Sequence, residues 1–455
     1  MKKVAFITLG CKVNQYETNA MAQEFIEKGY EVVDHTKKAD VYVINTCTVT
    51  NMSDRKSRQM LRRVNELNEN AIVVACGCYA QIAKEKLEKI EDVDIILGNS
   101  EKINIVDYVE EYAKNSKKIL KVEDIMNQKE FVDFGDVIYT EKTRAVVKVQ
   151  DGCDRFCTYC LIPYARGRVR SRKPESIISE INKIAKEGIK EIVITGIHIA
   201  SYGKDFRNGY RLIDLLEEIN KVDGIERIRL GSIEPLMITE EFMERLVKLS
   251  KICHHFHLSL QSGCDETLKR MNRRYTTEQF KHIVNLLREN YQDVNLTTDI
   301  IVGFPGETEE EFNKTYEFLK EIKFYKMHIF KFSPREGTKA AVMKNQIDGN
   351  IKEERSQKLI ELSDKNEEEY NKKYLEKEVE VLWEEEKDGV YKGHTKNYVL
   401  AHMDMKDLSE KKEEKEEKEE KEEEKRENLI KEELENKITK AKCIEAKKDH
   451  IVVKM

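Results

Sequence analysis

The chain alternates short apolar runs with amphipathic stretches, and the alternation changes character twice. Over roughly residues 1–110, the apolar runs VAFITL, VYVINT and AIVVAC are each followed by a helical pattern, over about 14–28, 52–67 and 79–90, and DIILG closes the series. Short strands alternating with helices predict a parallel α/β layer. Residues 111–142 are polar and weakly patterned, which predicts a connector. From about 143 to 365 the alternation repeats six times, with AVVKVQ, EIVIT, RIRLG, HFHLSL, NLTTDIIVG and KMHIFKF as strands. A complete barrel of eight such units needs about 250 residues, so six units predict a partial (β/α)6 barrel. After about 370 the runs VEVLW, GVYKGHTKNYVLAHM, ITKAKCIEA and HIVVK have strand character with no long amphipathic helix between them. They predict a small β-barrel. The expected organisation is α/β: a first domain over 1–112, a linker over 113–142, the partial barrel over 143–366 and the small barrel over 370–455.

Composition narrows the class. The 455 residues are 40% hydrophobic and 36% charged, and no apolar run approaches the roughly 18 residues that would cross a bilayer. The amino-terminal MKKVAFITLGC has lysines, a short apolar run and a cysteine, but signal peptides need roughly 7 to 15 apolar residues. A cytoplasmic protein with no membrane partner is expected, and its ten cysteines are expected to be thiols or metal ligands rather than disulfides. The net charge of -6 argues by itself against nucleic acid. However, residues 410–435 hold 14 acidic and 8 basic side chains, so the rest of the chain is neutral. That run reads as a solvated helix or tether inserted in a loop of the last domain.

The cysteines carry the candidate chemistry. Cys153, Cys157 and Cys160 form C-x3-C-x2-C in DGCDRFCTYC, directly after the strand AVVKVQ. Structural zinc takes four closed ligands, and no fourth cysteine or histidine is near this loop in sequence. Three thiolates on a 4Fe-4S cluster leave one iron open to a substrate or cofactor that brings its own ligands. In the first domain, Cys11 follows VAFITLG, Cys47 follows VYVINT, and Cys76 and Cys78 end AIVVACGC. Neighbouring parallel strands would bring these thiols out at one carboxyl edge, where open α/β sheets bind ligands. Cys253, Cys264 and Cys443 read as structural. His255 and His257 alternate with Phe256 and Leu258, so they face the opposite side of their strand and are expected to be packed or hydrogen-bonded there.

C-x3-C-x2-C with an aromatic residue, here Tyr159, before the last cysteine resembles the radical S-adenosylmethionine (SAM) superfamily. With LGCKVNQYET, NTCTVT, GCYAQ, GCDRFCTYCLIPYARGRVRSR, TGIHIASYG, LSLQSG, MNRRY and DIIVGFPGET, nearly the whole chain resembles the methylthiotransferases, the MiaB, RimO and MtaB group. The resemblance implies that SAM fills the open iron of a cluster on Cys153, Cys157 and Cys160, and that a second 4Fe-4S cluster sits on Cys11, Cys47 and Cys78. Cys76 has no counterpart in the family and reads as a bystander. The first cluster would reduce SAM to a 5'-deoxyadenosyl radical that breaks an unactivated C–H bond, and the second would supply sulfur, with a reducing electron donor and a sulfur donor as further partners. Thr195 and Gly196 at one strand end, Ser232 and Glu234 in GSIEP, and Gly303 in the GFPG turn are expected to approach SAM.

The resemblance also implies a TRAM-like RNA-binding domain at the carboxyl end. Residues 142–173 carry nine basic side chains (Lys142, Arg144, Lys148, Arg155, Arg166, Arg168, Arg170, Arg172 and Lys173) against Asp151 and Asp154. Alternate arginines at 166, 168, 170 and 172 would share one face if extended and suit phosphate contacts. Lys392, His394, Lys396, Tyr391 and Tyr398 of the last domain are expected to add stacking and phosphate contacts. TGIHIASYG and GSIEP look more like the MtaB members, which implies tRNA as partner and methylthiolation at C2 of N6-threonylcarbamoyladenosine next to the anticodon. The alternatives are isopentenyladenosine in tRNA as substrate, or a non-catalytic iron-sulfur RNA-binding protein.

Overall fold

The computed structural model describes residues 1–139, 143–404 and 434–455; Lys142 and residues 410–433 of the charged insertion lie outside them. The first domain is a six-stranded sheet of β1 (Lys3–Thr8), β2 (Glu31–Val33), β3 (Val41–Thr46), β4 (Ile72–Gly77), β5 (Ile95–Leu97) and β6 (Ile119–Lys121), in the order β2-β1-β3-β4-β5-β6. Every pairing is parallel. Its helices are α1 (Lys12–Glu27), α2 (Asn51–Leu67), α3 (Cys78–Ile82), α4 (Lys84–Glu88) and α5 (Ile105–Asn115). Met21, Phe25, Val106 and Val109 pack on one face of the sheet, and Leu61, Val64 and Leu87 on the other. Covered on both sides, β3 is buried at every position, and its first four residues are an uninterrupted apolar run.

The expected boundary at 112 is corrected. The sheet continues through β6, a strand of only three residues that pairs with β5 and is too short to show a period of its own. The connector beyond it is partly clamped: Phe134 and Val137 pack with Tyr16, Ala20 and Val146.

The second domain holds β7 (Arg144–Asp151), β8 (Arg170–Ser171), β9 (Glu191–Gly196), β10 (Arg227–Leu230), β11 (His255–Gln261), β12 (Asn295–Val302) and β13 (Lys326–Lys331). Its helices are α6 (Ile162–Arg166), α7 (Pro174–Lys186), α8 (Leu212–Ile219), α9 (Glu240–Leu246), α10 (Asp265–Arg270), α11 (Thr277–Asn290), α12 (Glu309–Ile322) and α13 (Gly349–Asn371). The strands run β10-β9-β7-β8 and β11-β12-β13, and the bridges Ile228↔Ile252 and Ile233↔Leu258 join the two groups into one open, partial barrel. Val147, Ile194, Ile228, Phe256, Leu258 and Ile300 face the helical layer. The two-residue period of a strand therefore turns Lys148, Thr195, Arg229, His255, His257 and Asp299 toward the lumen.

The third domain is a closed barrel of β14 (Glu378–Lys387), β15 (Val390–Thr395), β16 (Leu400–Asp404), β17 (Ile438–Ala446) and β18 (Ile451–Lys454) around Trp383, Tyr391, Met403 and Cys443. The β15–β16 turn plugs the amino-terminal mouth of the partial barrel. Lys396 Nζ donates to the Ser250 carbonyl at 2.7 Å, and Asn397 Nδ2 to the Asp293 carbonyl at 2.7 Å. Tyr398 accepts from Arg144 Nη1 at 2.5 Å, lies 3.1 Å under the Arg229 guanidinium and stacks on His394 at 4.2 Å. The expected RNA contacts of His394, Lys396, Tyr391 and Tyr398 are thus corrected: Tyr391 is in the barrel core, and the other three hold the domains together.

Tyr398→Ala removes a cation–π contact and a hydrogen bond to a charged group, and leaves Arg144 and Arg229 short of partners. It is expected to destabilise the junction by about 2 kcal/mol, read as faster hydrogen exchange at the amino ends of β7 and β10.

Candidate active site

Each of the first three cysteines stands where a parallel strand hands over to a helix. Cys11 is the N-cap of α1, where its side chain makes no capping bond; Cys47 follows β3, just before the α2 cap Thr50; and Cys78 opens α3. The order β2-β1-β3 reverses direction between β1 and β3, so Cys11 and Cys47 flank the crevice at the topological switch point. Two glycines allow the close approach. A Cβ on Gly10 (φ +107°) would lie 2.9 Å from Cys47 Sγ, and one on Gly77 (φ +97°) 2.5 Å from the Thr46 carbonyl.

The three thiols share one electrostatic neighbourhood: Cys11 feels Cys78, and Cys47 feels both. Burial raises the Cys11 pKa, although the residue keeps open surface, and pushes Cys47 up to about 11. Cys76 instead packs with Val43, Val74 and Leu97 on the α1/α5 face of the sheet, and burial takes its thiol to about 12. All ten cysteines are free.

Cys153, Cys157 and Cys160 lie on the loop after β7. The Cys153 amide donates to the Gly167 carbonyl at 3.0 Å, and the Cys160 amide to the Cys157 carbonyl at 3.0 Å. Arg273 Nη1 lies 3.5 Å from Cys157 Sγ, and the Ile162 amide 3.4 Å from Cys160 Sγ. Burial, reinforced by the charge of Cys157, pushes Cys153 to about 11 and Cys160 to about 12. Tyr159 packs edge-on to Phe304 at 6.3 Å.

A buried charge network joins the two thiol groups. Arg166, six residues beyond Cys160, is fully buried and uses all five of its N–H donors. Nε points to Cys78 Sγ at 3.3 Å; Nη1 meets Glu17 and, at 3.2 Å, Asp151; Nη2 meets Asn14 at 2.6 Å and Glu17 at 3.0 Å. Glu17 also accepts from Lys102 at 2.5 Å and Lys148 at 2.7 Å. Burial alone would raise the Glu17 carboxyl, but the charges of Arg166, Lys102 and Lys148 outweigh it and hold its pKa well below the usual range. With Arg170 at 3.9 Å from Asp151, four cations face two carboxylates. A cluster on three thiolates is an anion, so a surplus of buried positive charge beside Cys78 fits that group as well as the donor set does.

This network corrects the expectation of an arginine row facing phosphate. Arg166, Arg170 and Arg172 are buried; Arg172 pairs with Glu180 at 2.6 Å and Asp133 at 2.9 Å. Only Arg168 of the four is exposed, 3.3 Å from Asp154. The backbone between them turns through a helix end and a two-residue strand instead of running extended.

Thr195 is buried and Gly196 ends β9, where a Cβ would press on the Gln150 carbonyl at 2.9 Å. Ser232 is exposed after β10. Glu234 is buried, in contact with Arg155 and 3.3 Å from His198 Nε2. Gly303 takes φ +69°, and the space a side chain would take there is filled by Lys352 of α13, so the glycine serves helix packing. Glu17 and Arg273 were not expected from the sequence. Glu17 had a signal, since it shares a helical face with Val13, Ala20 and Met21 and is a charge where the 3.6-residue period calls for an apolar residue.

A partial parallel barrel whose first strand leads into a three-thiol loop defines a radical SAM enzyme. The Radical SAM superfamily model matches residues 147–319, and the model described as Uncharacterized protein family UPF0004 matches residues 3–98. The chain is 45% identical over 405 residues to the threonylcarbamoyladenosine tRNA methylthiotransferase MtaB of Bacillus subtilis, covering 88% of this chain and 90% of that one. It is 45% identical over 397 residues to the MtaB of Aquifex aeolicus, covering 87% and 95%. The tRNA-2-methylthio-N(6)-dimethylallyladenosine synthase of Clostridium tetani is 37% identical over 385 residues, covering 83% of this chain and 84% of that protein. Among solved structures, the radical SAM methyltransferase TsrM of Kitasatospora setae shares the fold at a TM-score of 0.54 and 16% identity, over 75% of this chain and 77% of that one. The chain belongs to the radical SAM methylthiotransferase family, an enzyme class that uses a 4Fe-4S cluster and SAM.

Glu17→Gln leaves three buried cations without their shared carboxylate. It is expected to lower the unfolding free energy by about 3–5 kcal/mol, measured by denaturant titration, while the same change at exposed Glu27 has an effect of less than about 0.5 kcal/mol.

Proposed function

We propose that this enzyme adds a methylthio group to C2 of N6-threonylcarbamoyladenosine next to the anticodon of tRNA. The observation that carries the reading is the pairing of two three-thiol groups, with Arg166, just beyond the loop of one, reaching a thiol of the other. The two relatives at 45% identity, both threonylcarbamoyladenosine enzymes by name, support the choice of nucleoside. Cys153, Cys157 and Cys160 would hold the cluster that binds SAM, and Cys11, Cys47 and Cys78 a second 4Fe-4S cluster. When bound, these groups supply the one-electron chemistry and the sulfur that no side chain provides. The chain's own residues organise the site: Arg273 and Arg166 each place a guanidinium on a cluster cysteine, and β9 and β10 present Thr195, Gly196, Ser232 and Glu234 at strand ends suited to SAM. An electron donor and a sulfur donor complete the cycle, and the cytoplasm, where tRNA is found, is its place of work. Among the described residues no helix is long and apolar enough to cross a membrane.

The cations for RNA are elsewhere than the expected row. A cavity of about 320 Å³ beside the cluster loop is lined by Arg155, Lys204, Arg207 and Arg274, together with Asp154 and Asp205. Asp205 is held by Ser171, and Asp154 pairs with Arg168. Partial burial and the neighbouring Arg155 lower the Lys204 pKa. Among the described residues Lys204, Arg207 and Arg274 form no ion pair, so the cavity suits a backbone phosphate.

The function is tested by anaerobic reconstitution of both clusters, addition of SAM, reductant and tRNA, and mass spectrometry of the digested nucleosides. The expected product is the methylthio derivative of threonylcarbamoyladenosine. A methylthio group on isopentenyladenosine instead, or no SAM cleavage from a preparation with full iron content, overturns the reading. Cys78→Ala is expected to halve the iron content and stop sulfur insertion while SAM cleavage persists, whereas Cys76→Ala keeps its iron. The paired change Lys204→Gln and Arg274→Gln is expected to flatten the slope of log affinity for tRNA against log salt by about 0.7–0.9 per charge removed.

A further inference from the structure

The lumen face of β11, β12 and β13 carries a polar row that the proposed cluster and SAM ligands do not use. His257 Nε2 lies 3.2 Å from Asp299 Oδ2, and Asp299 is the register partner of His328 on the next strand. One ligating atom from each of the three lies within 4.8 Å of the others, and the two imidazole centroids are 5.8 Å apart. Thr297 completes the wall, 3.0 Å from His257 Nδ1 and 3.2 Å from His255 Nε2. The row is open to solvent in a graded way: His257 is nearly enclosed, Asp299 is partly open and His328 is exposed at the edge strand.

Its strand ties it to the loop of Cys153, Cys157 and Cys160. Ser259 is the next lumen-facing residue after His257, and its carbonyl accepts from Arg273 Nη2 at 2.8 Å. The same guanidinium reaches Cys157. A nucleoside that loses hydrogen beside that loop would lie within reach of this part of the lumen.

We propose that His257, Asp299 and His328 form the subsite that recognises the threonylcarbamoyl substituent of the adenosine, an inference that rests on the nucleoside assigned above. The substituent carries a carboxylate, a hydroxyl and a urea, so it offers both acceptors and N–H and O–H donors. A donor–acceptor–donor row matches it. The His328 imidazole donates to the carboxylate, and Asp299, kept in place by His257, accepts from the hydroxyl and the urea N–H. An isopentenyl group is hydrocarbon only and would desolvate the His328 imidazole and the remaining acceptor sites of Asp299 without giving them partners, which is how a polar site rejects an apolar analogue.

The test uses the reconstituted full-length enzyme with three anticodon stem-loop RNAs bearing threonylcarbamoyladenosine, isopentenyladenosine or unmodified adenosine at the same position. The readout is the ratio of affinities among the RNAs, together with product formation on each. A general folding defect lowers all affinities together and leaves the ratios in place. His328→Phe is expected to cut the preference for the threonylcarbamoyl RNA over the unmodified RNA on the order of ten-fold and to narrow the gap to the isopentenyl RNA. Asp299→Asn, nearly isosteric, is expected to act in the same direction. Unchanged ratios in both variants overturn the proposal. So does a stoichiometric divalent ion, lost in His328→Phe with the nucleoside preference intact, which would make the row a cation site. If the wild-type enzyme itself shows no preference for the threonylcarbamoyl RNA, the functional reading fails before either variant is made.

Discussion

One buried carboxylate decides how this molecule is put together. Glu17 projects from the first helix of the first domain, and three cations close on it: Lys102 from the same domain, Lys148 from the first barrel strand, and Arg166 from just beyond the cluster loop. Removing these groups from water is costly, and their mutual attraction compensates only when every donor and acceptor is met. Arg166 meets that condition, since it has no unused N–H. The first and second domains can therefore dock in one register only, the one that brings Cys78 beneath Arg166.

The same junction explains why an ion network, an unusual choice for a buried interface, is suited to this place. An apolar seam would dock the domains with fewer constraints, but it would offer no charge to balance the anionic cluster proposed on Cys11, Cys47 and Cys78. The surplus cations at the seam would supply that balance. The lumen follows a similar logic. The barrel strands put leucine, isoleucine and phenylalanine into the helical layer and histidine, threonine, arginine and aspartate into the opening, so the opening is polar before any ligand enters. The third domain closes the far mouth through Tyr398 and its cations.

Much of this was legible in the order of residues. Strand and helix alternation depends on local periodicity, so the parallel sheet, the six-unit partial barrel and the small closed barrel followed from runs such as VYVINT and NLTTDIIVG. The thiol sites were legible because parallel strands place their carboxyl ends on one edge whatever the details of packing. The three-residue β6 was not, because a strand that short has no period and exists only through its partner.

What the sequence by itself determined was which elements form and which ends of them carry cysteine. Only the tertiary structure decided what the charges do. Read along the chain, Arg166, Arg168, Arg170 and Arg172 are equivalent basic residues beside an active loop; folded, three are buried and one is exposed. The reason is physical: hydrophobic periodicity is a property of neighbours a few residues apart, whereas the fate of a charge depends on partners such as Glu17, 149 positions away from Arg166, that only the fold brings within a hydrogen bond.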